Sequence, residues 1–255
     1  FATAKIKIEP KPITVTAEKK SKTYGDSTPE FTYTVDGLVE DEHLQDINFS
    51  VDNENAGSHS IVIFQKAGAN PNYAIKFVNG TLNVAQRQLD VEWSNTTLTY
   101  NGQAQTPTAT LKGVLDSDKE NCLVTVDGSQ TDAGSDYTAT AKINNANYVL
   151  KSATESCKYV INNASQSKPD LTAKNETFVG QGNGQITGLT QDMEWKKSDD
   201  TVAGAAADTG YQKVSDENMN FSAGKYYVRY SAKKNYNASL PTEITIEAGR
   251  MINIT

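Results

Sequence analysis

The sequence predicts an all-β or mostly-β protein of three small domains in tandem, the first two similar to each other. Three observations carry that prediction. Apolar residues recur with period two, as in Phe31-Thr-Tyr33-Thr-Val35 and Tyr226-Tyr-Val228-Arg-Tyr230, which is the signature of half-buried strands. Helical periodicity is nearly absent. An ordered set of short motifs recurs about 76 residues further on, and such a period marks a repeated unit. With 255 residues, 37% hydrophobic and 22% charged, the chain suits several small cores better than one large one.

The elements follow in order. Phe1–Glu9 alternates like a strand and reads as the closing strand of a preceding repeat or a linker, so residues 1–10 stand apart. Ile13-Thr-Val15-Thr-Ala17 opens a first repeat over 11–86, and Leu89-Asp-Val91-Glu-Trp93 opens a second over 87–163. Lys22-Thr-Tyr24-Gly25-Asp26 returns as Leu98-Thr-Tyr100-Asn101-Gly102, the tyrosines 76 apart. Pro29 returns as Pro107, 78 on, and Asn55-Ala56-Gly57 as Asp132-Ala133-Gly134, 77 on. Asn72-Tyr73 returns as Asn147-Tyr148, 75 on, and each copy closes on a strand, at Leu82-Asn-Val84 and Tyr159-Val-Ile161.

Asn79-Gly80 between alternating runs predicts a type I′ hairpin, because both turn positions need φ > 0. Gly37–Leu44 and Gly113–Glu120 each have room for one or two helical turns, so a two-layer α+β fold with one short helix is the alternative for the first two repeats. The polar run Asn162–Lys168 reads as a flexible linker.

A third unit over 164–249 keeps only the later markers, Ser222-Ala223-Gly224, Asn235-Tyr236 and Ile244-Thr-Ile246. Gly224-x-Tyr226-x-Val228 has the spacing of a corner tyrosine entering a core strand, which predicts an immunoglobulin-like sandwich. In the second unit two residues, Ser135 and Asp136, separate Gly134 from Tyr137. The third unit has only Lys225 at that place, which leaves the second unit's register open. Residues 250–255 form a tail or the start of a next strand.

Ile13 to Val84, with its Tyr24-Gly25-Asp26, Pro29, Asp36-Gly37-Leu38 and Asn55-Ala-Gly57, resembles the MBG ("mostly beta, glycine-rich") repeats of bacterial surface proteins. Leu89 to Ile161 looks like a close relative from the same arrays. Ile186-Thr-Gly-Leu189, Met193-Glu-Trp195 and Gly224-Lys-Tyr-Tyr-Val-Arg-Tyr230 resemble another repeat of bacterial surface proteins. The resemblance implies an extracellular stalk or adhesin-like array with no catalytic residues to carry over; a monomer that is part of a longer secreted protein is expected.

The residues themselves point away from chemistry. A net charge of −7 lacks the basic face that nucleic acid or an anionic membrane requires, and no apolar run of about 18 residues inserts into a bilayer. His43 and His59 share no metal-ligand spacing. No Gly-x-Ser-x-Gly presents a nucleophile. Asp116-Ser-Asp118-Lys-Glu120-Asn121 alternates oxygens but lacks the glycine and glutamate of a calcium loop. Gly180-Gln-Gly182-Asn-Gly184 echoes a phosphate loop but leads into a strand rather than a helix. No cofactor is implied.

Two features remain. Cys122 and Cys157 are the only cysteines and stand 35 residues apart. Outside the cell, where disulfides persist, they are expected to pair and to contribute about 3–4 kcal/mol. The alternative is two separate buried thiols. Tyr211, Tyr227 and Tyr236 are the aromatics with the best prospect of exposure. They make a glycan- or protein-binding face on the third unit the alternative function, a host glycan or protein then being the partner.

Overall fold

The structure is a computed structural model that describes residues 6–198 and 209–251. Among these residues there is no α-helix, and β-strands build every domain. The chain divides into two compact units, one of residues 1–94, 108–127 and 139–157, the other of residues 95–107, 128–138 and 158–255.

The first repeat runs through seven strands: β1 (Lys11–Ala17), β2 (Lys20–Thr23), β3 (Tyr33–Asp36), β4 (Ile47–Ser50), β5 (Gly57–Gln65), β6 (Tyr73–Val78) and β7 (Gly80–Ala85). They form two sheets, ordered β3-β1-β6 and β2-β7-β5-β4. In each sheet one pairing is parallel, β1 with β6 and β2 with β7, and the others are antiparallel. The period-two pattern explains the core. Ile13, Val15 and Ala17 of β1, Ile61 and Ile63 of β5, and Leu82 and Val84 of β7 all point into one buried cluster. The residues between them face outward, since side chains alternate across a strand.

The second repeat runs through β8 (Arg87–Ser94), β9 (Thr97–Thr99), β10 (Thr108–Lys112), a 3-10 turn over Asp116–Asp118, β11 (Val124–Asp127), β12 (Gly134–Ile143), β13 (Tyr148–Leu150) and β14 (Ser156–Asn162). Its sheets are ordered β10-β8-β13 and β11-β12-β14-β9, the strand-for-strand equivalent of the first repeat. The expected likeness of the first two repeats is therefore present in their topology.

The third repeat has β15 (Thr172–Lys174), β16 (Gln185–Thr187), β17 (Met193–Lys197), β18 (Gln212–Lys213), β19 (Gly224–Tyr230) and β20 (Thr242–Ile246). Its sheets are β15-β16 and β18-β17-β19-β20. Ile186, Met193, Phe221, Tyr226, Val228 and Ile246 fill its core, with Trp195 set edge-on to Phe221 at 5.1 Å.

Backbone hydrogen bonds show that all three repeats begin alike. The amide at the entry residue bonds the carbonyl of the repeat's own Asn-Tyr asparagine: Lys11 to Asn72 at 2.9 Å, Arg87 to Asn147 at 3.0 Å, Ala164 to Asn235 at 2.9 Å.

Four local expectations are corrected. Asn79-Gly80 is not a hairpin, because β6 and β7 belong to different sheets and neither residue takes positive φ. The chain crosses there from one sheet to the other, and glycine is needed for space: a Cβ on Gly80 would lie 2.7 Å from the Glu18 carbonyl oxygen and 2.9 Å from that of Ala17. Gly37–Leu44 forms no helix, Asp41 taking φ 66° within it, so the α+β alternative falls. The linker Asn162–Lys168 is tied down at Ala164 by backbone bonds with Asn235 and Asn237. Gln166 donates from Nε2 to the carbonyls of Ser231 and Asn237.

The fourth correction concerns the cysteines, which are both free thiols. Cys122 packs with Leu89 and Tyr148 just ahead of β11, while Cys157 lies on β14. β12 runs between β11 and β14. Second-neighbour strands are about 9.6 Å apart, beyond the roughly 7 Å that a bridge spans. Burial raises both thiol pKa values. Titration of denatured, unreduced protein with a thiol reagent is expected to find two thiols per chain.

The strand expected over Phe1–Glu9 falls partly outside the described residues, and Ile6 to Pro10 form none. The last four residues of the expected tail are also outside them.

Candidate functional site: the joint between successive repeats

Among the described residues one arrangement of polar side chains is built twice. It joins the end of one repeat to the start of the next, and each instance lies inside a single compact unit.

In the first instance the side chain of Asn147, from the second repeat, grips the Asn55-Ala56-Gly57 corner of the first. Its Oδ1 accepts from the Ala56 amide at 2.8 Å and its Nδ2 donates to Asn55 Oδ1 at 3.1 Å. In the second, Asn235 grips Asp132-Ala133-Gly134 in the same way. Its Oδ1 accepts from the Ala133 amide and its Nδ2 donates to Asp132 Oδ1, both at 2.8 Å.

The tyrosine after each asparagine completes the contact. Tyr148 meets Tyr24 edge-on, centroids 5.5 Å apart at 78°, and Tyr236 meets Tyr100 at 5.3 Å and 76°. Such T-shaped pairs place a positive ring edge on a negative face and contribute about 0.5–1.5 kcal/mol beyond the area they bury. An ion pair flanks each joint, Arg87 with Asp26 at the first and Lys234 with Asp132 at the second.

The joint rests on local structure set by each repeat. Behind the first, the Tyr148 hydroxyl donates to Asp118 Oδ2 at 2.5 Å and accepts from the Leu115 amide at 3.2 Å. Burial, with the carboxylate beside it, pushes the Tyr148 pKa up to about 12. Gly25, at φ 82°, lies under Leu115, whose Cδ1 would be 2.3 Å from any Cβ there.

The x-Ala-Gly corner is itself clasped from inside its own repeat. His59 Nε2 lies 2.8 Å from the Asn55 carbonyl oxygen. The Tyr137 hydroxyl donates to the Asp132 carbonyl at 3.1 Å and the Tyr226 hydroxyl to the Ser222 carbonyl at 2.8 Å. In all three the acceptor is two residues before the glycine. The extra residue ahead of Tyr137 coincides with Asp136 in the left-handed region, at φ 76°, and Tyr137 still reaches the equivalent acceptor. Further along β12 the register is fixed by its pairing with β11, from Val124 opposite Ile143 to Asp127 opposite Thr140.

The third repeat treats its corner differently. Glu176 stands 76 residues after Tyr100, as Tyr100 stands 76 after Tyr24, and its amide makes the equivalent backbone bond, to the Glu247 carbonyl. Its buried carboxylate accepts from the Ala223 amide at 3.1 Å, from Gly182 at 2.9 Å and from Gly180 at 3.2 Å. The Ala223 donor matches those of Ala56 and Ala133, so the third repeat supplies its own acceptor where the first two take the next repeat's asparagine. The glycine-rich loop that echoed a phosphate site closes on this internal anion.

Of the tyrosines singled out as a ligand face, two come near each other and one lies apart. Tyr236 belongs to the second joint. Tyr227 is only 9% exposed, and its hydroxyl bonds Glu243. The Tyr211 ring carries the Arg229 guanidinium at 3.9 Å and the Lys196 ammonium at 4.5 Å. Lys196 is paired across the sheet with Tyr227, so Tyr211 and Tyr227 share one neighbourhood and Tyr236 does not. Asp118, from the acidic run, serves Tyr148. Among the described residues no three of His, Cys, Asp and Glu come together to hold a metal ion. In the sequence Asn-Tyr and x-Ala-Gly stand as separate markers, and nothing local pairs them. The signal was that both return at nearly the same spacing.

Two outcomes follow. Asn147→Ala removes the side-chain bonds to Ala56 and Asn55, and one to the Tyr24 hydroxyl, a loss of about 1–3 kcal/mol, and is expected to speed hydrogen exchange of the Ala56 amide while leaving Ala133 unchanged. The two joints also differ in acid. Hydrogen bonds from Lys234 and then Asn235 hold the Asp132 carboxyl below its ordinary value of 3.8. A lowered folded-state pKa stabilises above the unfolded value, and that contribution is lost as pH falls through the folded one. Below about pH 4, protection of the Ala133 amide should therefore weaken as Asp132 itself is protonated, whereas at Ala56 the corner presents neutral Asn55 and the titrating support is Asp118, held low by the Tyr148 hydroxyl behind the joint. Amide-resolved exchange across pH 6 to 2.5 reads both.

Among the described residues, strands arranged in repeats and joined by a recurring contact define a tandem-repeat β-protein. Residues 13–83 match the family model of the MBG domain (YGX type), a repeat family of surface proteins, and the match contains Tyr24-Gly25-Asp26. No curated protein matches the chain. Among the described residues no helix is long and apolar enough to cross a membrane.

Proposed function

We propose that the chain is a non-catalytic, extracellular segment of a bacterial surface protein, acting as a monomeric spacer or adhesin stalk. The joint supports this reading best: the same asparagine grip and tyrosine pair close two successive repeats, so the residues repeated along the sequence serve end-to-end contact. Small domains joined this way give reach while each keeps its own core. The MBG match over the first repeat supports a place outside the cell.

The test has two parts. An antibody to the chain is expected to label intact cells of the parent organism, and labelling only after lysis overturns the location. A glycan array and an intrinsic-fluorescence titration are expected to show no saturable sugar response. A saturable response lost in Tyr211→Ala or Tyr227→Ala replaces the spacer with a glycan-binding module.

A further inference from the structure

The first repeat carries the receiving half of the joint with nothing described against it. Asn72-Tyr73 stands where Asn147-Tyr148 and Asn235-Tyr236 stand, by the shared backbone bond from the entry residue. The Tyr73 hydroxyl donates to Glu42, as that of Tyr148 does to Asp118. Glu42 follows Gly37 by five residues and Asp118 follows Gly113 by five. The supporting structure behind Tyr73 is thus already built. Asn72 is exposed, and its side chain has no partner among the described residues.

A second observation points to the same face. Ile6-Lys-Ile8 precedes Lys11 at the spacing by which Leu82-Asn-Val84 precedes Arg87. Leu82 and Val84 close the first repeat's core at 0% and 4% exposure, whereas Ile6 and Ile8 are each 88% exposed. They alternate like the last two core residues of a closing strand whose core is elsewhere.

We infer that Asn72-Tyr73 is a docking surface for one further repeat of this same kind, arriving from the N-terminal side. Its Asx-Ala-Gly corner donates its alanine amide to Asn72 Oδ1, and its tyrosine packs on Tyr73. That repeat's closing strand takes in Ile6 and Ile8. The joint has a direction, since the third repeat's corner is closed on its own Glu176. The inference rests on the geometry of the two observed joints and not on a surface location, so it survives if the chain proves intracellular.

The test extends the full chain. A second copy of residues 11–86 is placed directly before Lys11, with Ser60→Thr in the upstream copy to distinguish its peptides by mass. The upstream Ala56 amide is expected to exchange at least about tenfold faster when Asn72 of the downstream copy is changed to Ala, the factor that loss of about 1.4 kcal/mol produces. Asn147→Ala in the same chain calibrates the response at the existing joint. An upstream Ala56 indifferent to Asn72→Ala, while the downstream Ala56 responds to Asn147→Ala, overturns the inference. A second fusion, residues 87–163 before Lys11, presents Tyr100 and Asp132-Ala-Gly134 instead. An upstream repeat that stays unfolded in both fusions overturns it as well.

Discussion

Gly80→Ala is expected to lower the stability of the first repeat by about 3 kcal/mol, at the upper end of what overpacking costs. Gly80 is buried and its φ is not positive, so alanine's backbone preference is not the issue. The cost is steric. The new methyl would meet the carbonyl oxygens of Glu18 and Ala17 at 2.7 and 2.9 Å and the Ala17 carbonyl carbon at 3.1 Å. A flexible side chain could swing away, but these are backbone atoms at the end of β1, which is held on one side by β3 and on the other by β6. Relief therefore means shifting Ala17 out of the core or pulling β7 away from β5. Gly68→Ala is the control: nothing lies within 4 Å of its Cβ, and its φ of 83° leaves only backbone strain of about 1 kcal/mol. Hydrogen exchange of the β1, β5 and β7 amides reads the effect repeat by repeat, which one melting temperature of a multidomain chain does not. Equal effects from the two substitutions would refute the crossing-point argument.

Glu176→Ala should destabilise the third repeat by a comparable amount, about 3 kcal/mol. The 5%-exposed carboxylate accepts three backbone N–H bonds, two on Oε1 from Gly182 and Ala223 and one on Oε2 from Gly180. Hydrogen bonds to a charged acceptor contribute about 1.5–3 kcal/mol each, and a buried donor left without a partner costs about 1–3. The exposed Gly180 amide recovers water, while Ala223 and Gly182 are more enclosed. Glu176→Gln separates the causes, because an amide oxygen in the Oε1 position keeps two of the three bonds. It is expected to cost about 1 kcal/mol. The readout is exchange at the Ala223 and Gly182 amides together with loss of the near-ultraviolet signal of Trp195, which packs against Phe221 in the same core. If Gln and Ala behave alike, the carboxylate is not organising the loop.

Much of this molecule was legible in the chain. Period-two alternation located the core residues of β1, β7, β19 and β20, because alternation across a strand is a local property of the backbone. The markers near 76 residues apart revealed two like domains, since equal folds place equal turns at equal chain distance. Tyr226 was legible as a corner tyrosine for the same reason: its acceptor, the Ser222 carbonyl, lies four residues upstream.

Sequence by itself thus determined the alternating core strands and that the unit repeats, while Tyr227, expected to face out, is buried, and Ile6 to Pro10, expected in a strand, form none. Only the tertiary structure decided what each strand pairs with and what each end touches. Asn79-Gly80 has ideal hairpin chemistry, yet its flanking strands enter different sheets, because pairing β6 with β1 and β7 with β5 buries both apolar faces in one core. Cys122 and Cys157 share a domain, yet one intervening strand keeps them apart. Asn147 and Asn55 are 92 residues apart, and Asn235 and Asp132 are 103 apart. A side-chain hydrogen bond over such distances leaves no local pattern. It is created when folded repeats meet, and only its recurrence is written in the sequence.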